Sequence, residues 1–545
     1  MHRDRVRPGC GAARAAAVRG AAGRSARAPV GVRVDQLLDR RRTAAAGAAQ
    51  RLRGRARRAR TRLRPGVRRP ADRPGAGLAR TREHLAARRA RRGPHRGGDR
   101  GPAAPGAGRG RRAGAVTLPL VSVVVPHYES PHDLALVLTA LELQDHPLDL
   151  LDVVVADDGS RTRPGPGPRP YAVRVVAQAD EGFRAAAARN LGARAARGSV
   201  LCFLDADTVP EPGYVSAVVR SIAGGADLVV GRRRHADLGA TSPAQLRRWL
   251  LEGVGAPEVL EEPAWLAEGY ARTDDLRAAG DDAYRFVISA VLSTTRRLFE
   301  EVGGFEEAFR AYGGEDWEFA HRCWLRGADL VHARDAVAWH DGPDFAGRTG
   351  DADALHSRNV EGLALARFVP GPATRGSGLV WAHPDVVVRL DDTGASDAQV
   401  VESVRSLLAG SDCGVWLRAG SALDLLDDPR VHRGEPPNAV LARARFRVEL
   451  DRPVVLSGAT LQELADVAPV RVGEHLTVRR TRDVHRGEDG AALLRAPGVS
   501  APVPGEVDLQ RTWGRADHRR TVRLRRWRGS PADLAGLPAD VAGEP

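Results

Sequence analysis

The 545-residue chain contains no lysine, a single methionine and four cysteines. Its 83 Lys-plus-Arg positions are all arginine, and with the abundance of Ala, Gly and Pro this marks a codon bias, so basic composition by itself says little about partners. Cys10, Cys202, Cys323 and Cys413 are scattered, with no Cys-x-x-Cys pair, which argues against a zinc knuckle or a disulfide framework. Cys202 and Cys323 sit in apolar surroundings and read as reduced core thiols. No apolar run reaches the roughly eighteen residues a membrane span needs. Arginine interrupts every alanine-rich run near the N-terminus, so the h-region of a secretory signal is missing and a cytoplasmic protein is the expectation.

Aromatic side chains are also missing from residues 1–116, which hold 33 Arg against 6 acidic residues, a balance of +27; the total of +15 leaves −12 for the remainder. The sequence pI of about 10.8 therefore describes this leader, and the body that follows is acidic. Such a segment cannot bury enough apolar surface to offset the entropy of ordering it. Disorder is expected, with a short helix over 33–63. The leader is either an electrostatic tether to nucleic acid or anionic lipid, or an extension without function, upstream sequence translated from a wrongly assigned start. A nucleic-acid binder would interleave aromatics with arginine for base stacking, so no nucleic-acid partner is expected.

At Leu118 the texture changes. An apolar strand over 121–125, stopped by Pro126, is followed by helix periodicity over 133–143 and by the strand of LDVVVADDGS, which ends in Asp157 and Asp158. A Pro/Gly loop over 161–170, a strand in YAVRVVAQ and a helix over 183–196 lead to GSVLCFLDADTVP at 198–210. There a strand over 200–204 ends at Asp205 and Asp207, and the run is broken by Pro210 and Pro212. Asp fits a strand interior poorly, and two at a bend with i, i+2 spacing can bring their oxygens to one hard divalent cation. Capping of the next turn is the alternative. The pattern is that of an α/β fold with a mostly parallel sheet. Ligands of such sheets bind beyond the carboxyl ends of the strands, where Tyr128, Asp158, Asp205 and Asp207 fall.

Further on come a helix over 213–223, a strand in LVVGRRR, and a stretch over 240–283 that mixes helical segments with acidic loops and carries no evident chemistry. FVISAVLSTTRRLFEEVGGFEEAF then reads as strand, helix and glycine turn. In AYGGEDWEFAHRCWLRGADLV, Gly313 and Gly314 free the backbone before Glu315 and Asp316, and a helix runs over 317–326. Acidic residues at a helix start also serve as plain caps. AVAWH ends at His340, beside Asp341. Beyond 350, PDVVVRLDDTGASDAQVVESVRSLLAGSDCGVWLRAG reads as strand, helix, strand and faintly echoes 121–156, with VVVRLDD in place of VVVPHYE. ARFRVELDRPVVLSG and HLTVRRTRDVHRG offer more strands, but neither Asp-x-Asp nor GGED recurs. Residues 351–545 are expected to form a smaller, degenerate α/β domain that positions an acceptor, mediates assembly or only packs.

In order and spacing, VSVVVPHYES, VVVADDGS, AAAARNLGARAARGSVLCFLDAD and GGFEEAFRAYGGEDWEFAHR resemble the family 2 glycosyltransferases of the GT-A fold, over roughly residues 118–348. The last block is similar to the C-terminal segment of the galactosyltransferase and N-acetylgalactosaminyltransferase group. The resemblance implies a GT-A domain at 117–350 that transfers a sugar, with inversion and with Mg²⁺ or Mn²⁺, from a nucleotide-diphosphate sugar to a hydroxyl of a glycan, a lipid-linked or a small-molecule acceptor. It implies that Pro126, Tyr128 and Glu129 border the nucleobase, that Asp158 reads the nucleoside, and that Phe183, Arg189 and Asn190 close the nucleotide pocket. Asp205 would face the ribose at the metal's edge, Asp207 would bind the metal, and His340 would complete its shell. Asp316 would be the catalytic base, with Glu315 and Trp317 at the acceptor side.

Glu129 departs from the small residue or Asn usual in the family. Two other classes compete with this reading. A nucleotidyltransferase would favour a glycine-rich, cation-bearing phosphate loop after the first strand, which PHYES is not; a polyanion binder would act through the leader. Without a membrane span, a lipid-linked acceptor would be met by peripheral contact at the cytoplasmic leaflet.

Overall fold

The computed structural model describes residues 117–343, 351–376, 378–420, 422–457 and 459–488, with short stretches between 494 and 509. The arginine-rich leader, its expected short helix and Cys10 lie outside the described residues.

The first sheet is built from β1 (Val121–His127), β2 (Leu151–Asp157), β3 (Ala172–Ala177), β4 (Val200–Leu204), β5 (Thr208–Pro210), β6 (Leu228–Ala236), β7 (Val259–Leu260), β8 (Val291–Thr295) and β9 (Leu330–Asp341). Its order is β3-β2-β1-β4-β8-β6-β9-β5, with β7 on β6. The half made of β3, β2, β1 and β4 is parallel; β8 then runs antiparallel to β4, and β9 parallel to β6. The valine runs of β1 and β2 are buried on both faces, as parallel strands covered by helices require. The helices are α1 (Pro131–Leu141), α2 (Ala185–Ala195), α3 (Tyr214–Ala223), α4 (Pro243–Glu252), α5 (Ala264–Arg272), α6 (Arg296–Val302) and α7 (Glu315–Leu325).

Proline shifted three of the expected boundaries. Helix α1 begins at Pro131, not at Asp133, because a proline at the first helical position gives up an N–H that has no partner there anyway. Strand β1 continues through Pro126 to His127: β4 flanks it only as far as Val124, so the missing N–H falls where one side of the strand is open. The segment expected to break at Pro210 instead forms β5, an edge strand antiparallel to β9. Beneath the strand ends, Phe203 of β4 meets Phe305 edge-on at 5.2 Å, and Phe305 stacks on Phe319 of α7 at 4.6 Å. This aromatic cluster fixes α7 relative to β4, and with it the lips that carry Asp205 and Asp316. Cys202 and Cys323 are buried free thiols, as expected.

Helix α8 (Asp351–Phe368) leads to a second sheet. Its strands are β10 (Val386–Leu390), β11 (Cys413–Leu417), β12 (Val431–Arg433), β13 (Phe446–Leu450), β14 (Val454–Leu456), β15 (Val470–Val472), β16 (Leu476–Arg480), β17 (Leu494–Arg495) and β18 (Ser500–Pro502). The order is β12-β11-β10-β13-β16-β15-β17, with β14 and β18 paired separately. Helices α9 (Asp397–Leu408), α10 (Asn438–Leu441), α11 (Leu461–Ala465) and α12 (Thr481–Arg486) accompany it.

The two sheets belong to one compact unit and meet along α7. Arg443 sits 2.7 Å from Glu306 and 3.1 Å from the fully buried Glu318. The carbonyl of Arg443 is 3.2 Å from His321 Nε2, and burial first of all lowers the pKa of that imidazole to about 4, so it is neutral. Arg482 lies 3.6 Å over the Trp324 ring and donates to the Trp324 and Ala328 carbonyls. Among the described residues no helix is long and apolar enough to cross a membrane.

Candidate active site

A cavity of about 870 Å³ opens beyond the carboxyl ends of β1, β2 and β4. One wall is formed by Pro126, Tyr128, Asp158, Phe183 and Arg189, the floor by Asp205 and Asp207, and the facing wall by Gly313, Gly314, Glu315, Asp316 and Trp317. On the first wall, Asp158 accepts hydrogen bonds from Gln178 Nε2 at 2.6 Å and from the Arg184 N–H at 2.9 Å. Tyr128 and Phe183 are each about half exposed at the rim.

Arg189 ties the two sides together. Its guanidinium donates to Asp205 Oδ1 at 2.7 Å and to Glu315 Oε1 at 2.8 Å. Burial opposes its charge, but the two carboxylates outweigh burial and hold its pKa above the ordinary value. Glu315 is itself buried, with its second oxygen lacking a hydrogen-bond partner.

Asp316 lies in the first turn of α7. Its Oδ1 accepts from the Trp317 N–H at 2.8 Å and its Oδ2 from the Ser289 N–H at 3.2 Å. Burial, and then the neighbouring Glu315, push its carboxyl up to about 7 against the pull of these bonds. The turn before it depends on glycine. Gly313 and Gly314 take φ of +93° and +92°, and a Cβ on Gly314 would fall 2.9 Å from the Phe309 ring and 3.1 Å from Leu365.

The pairing of Thr208 with His340 in the β5–β9 ladder brings His340 behind the floor, where its Nε2 stands 3.4 Å from Asp207 Oδ2. Among the described residues, no group of three or more His, Cys, Asp or Glu side chains is assembled as a metal cage.

Three of the expected site residues do not line the cavity. Glu129, with φ of +51°, accepts from the Arg161 N–H at 2.6 Å and donates its own N–H to Ser160 Oγ at 3.0 Å. Its acidic side chain is thus held on Arg161 instead of facing the cavity. Asn190 lies beneath the wall, where its amide bonds Phe305 in both directions at 2.9 Å. It anchors the loop ahead of α7. His340 meets the site at Asp207 from behind the floor.

The cavity also has walls that the sequence did not announce: Asp133, Arg233, Trp265, Tyr312, Arg358 and Glu361. Arg233 had a legible signal, because side chains alternate along a strand. Arg232 and Arg234 both reach Glu262 from one face of β6, which leaves Arg233 for the other. Burial, and then Asp341 and Asp207, raise the Asp133 carboxyl above its ordinary range. Glu361 is raised likewise by burial and then by Glu315. Arg358 and Glu361 come from α8, beyond the segment expected to hold the site, and Trp265 comes from α5 in the stretch that showed no chemistry.

A strand-end cavity of this kind, with paired carboxylates on its floor and a further carboxylate opposite, lies where open α/β sheets bind their ligands. The family model "Glycosyl transferase family 2" matches residues 122–281, and the model "N-terminal domain of galactosyltransferase" matches 279–337. Glycosyltransferase AglE of Haloferax volcanii is 33% identical over 278 residues, covering 47% of this chain and 83% of the relative. The chain belongs to the family 2 glycosyltransferases. Validoxylamine A glucosyltransferase of Streptomyces hygroscopicus subsp. jinggangensis is 30% identical, over 49% of this chain and 64% of the relative. Hyaluronan synthase of Pasteurella multocida is 29% identical over 271 residues, which are 46% of this chain but only 27% of the relative. The chain thus spans about a quarter of that synthase.

Proposed function

We propose that the protein is an inverting, divalent-metal-dependent glycosyltransferase that moves a sugar from a nucleotide-diphosphate donor to a hydroxyl on a ring-bearing acceptor. The observation that carries the reading is the convergence in one cavity of Asp205 and Asp207 with Asp316, across the Arg189 bridge. On this reading Pro126, Tyr128 and Phe183 flank the nucleoside, Asp158 hydrogen-bonds it, and the diphosphate lies towards Asp207 and Arg233. Asp207 and His340 would hold Mg²⁺ or Mn²⁺, with Asp205 beside them. Oxygen and imidazole donors suit such ions, and two or so protein ligands suffice because water and phosphate oxygens supply the rest. When bound, the ion stabilises the charge that grows on the leaving diphosphate.

The step itself asks one proton transfer of the protein. As the acceptor oxygen bonds to the anomeric carbon, its proton passes to the Asp316 carboxylate, and the bond from that carbon to the diphosphate oxygen breaks with its electron pair. A positioned base of this type contributes about 10²- to 10⁴-fold. Glu315 is committed to Arg189, which leaves Asp316 as the base. One base opposite one leaving group inverts the anomeric centre, since no carboxylate nucleophile intervenes. Trp265 and Trp317 offer apolar faces to a sugar-like ring, and Arg358 and Glu361 offer polar partners for its hydroxyls.

Calorimetry with UDP-, GDP- and dTDP-sugars, with Mn²⁺ present or chelated, tests the proposal. One nucleotide series should bind only with metal, and Asp207→Ala should abolish that binding. Binding that ignores both metal and substitution would sink the metal assignment; no binding by any series would sink the donor class.

A further inference from the structure

The second sheet, with the β14–β18 pair, matches the first strand for strand once β17 and β18 are taken together in the place of β9. Along the chain the first half runs β1, α1, β2, β3, α2, β4, β5, α3, β6, β8, α6, β9, once α4, β7, α5 and α7 are set aside. The second half runs β10, α9, β11, β12, α10, β13, β14, α11, β15, β16, α12, β17 and β18. Pairing directions agree at each step: β12, β11, β10 and β13 are parallel, β16 is antiparallel to β13, β15 antiparallel to β16, and β17 parallel to β15. Even the outermost pair recurs, since β5 joins the end of β9 antiparallel and β14 joins β18 antiparallel.

Register agrees as well. Strand β4 pairs with β8 from Val200↔Thr295 to Leu204↔Val291, and β13 with β16 from Phe446↔Arg480 to Leu450↔Leu476. Three residues separate β4 from β5 and three separate β13 from β14. Ala196, Arg197, Leu204 and Asp205 meet Ala442, Arg443, Leu450 and Asp451 in that frame. The pairings of Val121 with Val200 and of Val386 with Phe446 align Val386 with Val121. This is two residues from the alignment that sets VVVRLDD under VVVPHYE, and an even shift leaves every side chain on its face.

The same frame shows what the second half has lost. Asp205 and Asp207 correspond to Asp451 and Pro453, so the metal-side carboxylate is replaced by a ring with no donor. Asp451 lies 2.8 Å from His475. From the pairing of β11 with β10, Asp158 corresponds to Gly420, whose N–H donates to the buried Asp392 at 2.8 Å. Other charges at these strand ends pair among themselves: Arg418 with Asp391 at 2.9 Å, and Arg389 with Glu435 and Glu449 at 2.9 and 3.2 Å. The absent insertions are those that carry Trp265 and Glu315 to Trp317 in the first half. Only seven residues separate α12 from β17, where 27 residues, α7 among them, separate α6 from β9.

We propose that residues 386–502 are a second copy of the donor-binding fold whose donor site has been dismantled, so that each chain binds one nucleotide sugar and adds one kind of sugar. The inference rests on the proposed donor class only for the choice of ligand. It is tested on the full chain by titrating the UDP-, GDP- and dTDP-sugars and, separately, Mn²⁺ alone. Wild type should bind one nucleotide sugar per chain, and Asp207→Ala none. A saturable nucleotide or Mn²⁺ site that persists in Asp207→Ala and disappears in Asp451→Ala would overturn the proposal, as would two nucleotides bound per wild-type chain. Failure of wild type to bind any nucleotide would instead overturn the proposed function, and with it the count of one donor per chain.

Discussion

If Asp316 is the base proposed above, it sets stability against activity, and one substitution exposes the conflict. Its carboxyl stands near 7 in the fold, above the ordinary value of 3.8, because burial and Glu315 disfavour the ion. The group therefore favours the folded state at low pH, and that contribution is lost as pH rises from about 4 through 7. Asp316→Asn should be more stable than wild type at pH 8 and nearly unchanged at pH 4, as thermal melts at the two pH values would show. The same variant should lose about 10²- to 10⁴-fold in kcat. In wild type, kcat/KM should climb with pH as Asp316 ionises and level off above about 7; a profile flat from pH 5 to 8 would remove Asp316 from the base role. Arg189 is the other decisive residue. Arg189→Met leaves Glu315 buried and unpaired, which should cost about 3–5 kcal/mol in denaturant unfolding. Arg189→Lys should not restore both bonds, because one ammonium cannot reproduce the planar fork. Neither the bridge nor the position of Arg233 is a motif, but the alternation in β6 did point Arg233 away from Glu262, so part of the missed wall was readable.

At the level of elements, the helix that presents Asp316 depends on the turn before it. Gly314→Ala forces a side chain into a left-handed conformation and against Phe309. It should destabilise the protein by roughly 1–3 kcal/mol and lower kcat more than it weakens donor binding, since the residues proposed to flank the nucleoside, Pro126, Tyr128, Asp158 and Phe183, lie outside this turn and helix. Equal losses in both, read from calorimetry and initial rates, would contradict that division. The apolar runs of β1, β2 and β4 and the spacing of their terminal carboxylates were legible because parallel core strands must be continuous and Asp is out of place in them. The starts of α1 and β5 were not, since proline is a breaker or a helix initiator according to neighbours that lie far away in the chain. The stretch over 240–283 hid Trp265 for a similar reason. A tryptophan on a short amphipathic helix looks the same whether it faces core or cavity, and only the placement of α5 decides.

For the molecule as a whole, the second sheet could be read as α/β, but its kinship with the first lies in strand pairing and register, which sequence periodicity does not encode. Its hold on α7 runs through Arg443, which pairs with Glu306 and the fully buried Glu318. Arg443→Ala should cost about 1.5–3 kcal/mol, the usual loss for a hydrogen bond to a charged group, although the residue lies far along the chain from any motif. A cost within 0.5 kcal/mol, the ordinary range for a surface substitution, would show that the contact is dispensable.

That contact bears on how the gene can be cut. The matched family segments end at residue 337, an inviting place to trim an expression fragment. A fragment ended there would expose Glu318, His321 and Trp324 on the far side of the helix that bears Asp316. A piece that keeps this helix and its C-terminal cap covered extends through Arg486, which donates to the Gly327 carbonyl, well past Glu361 of the cavity wall.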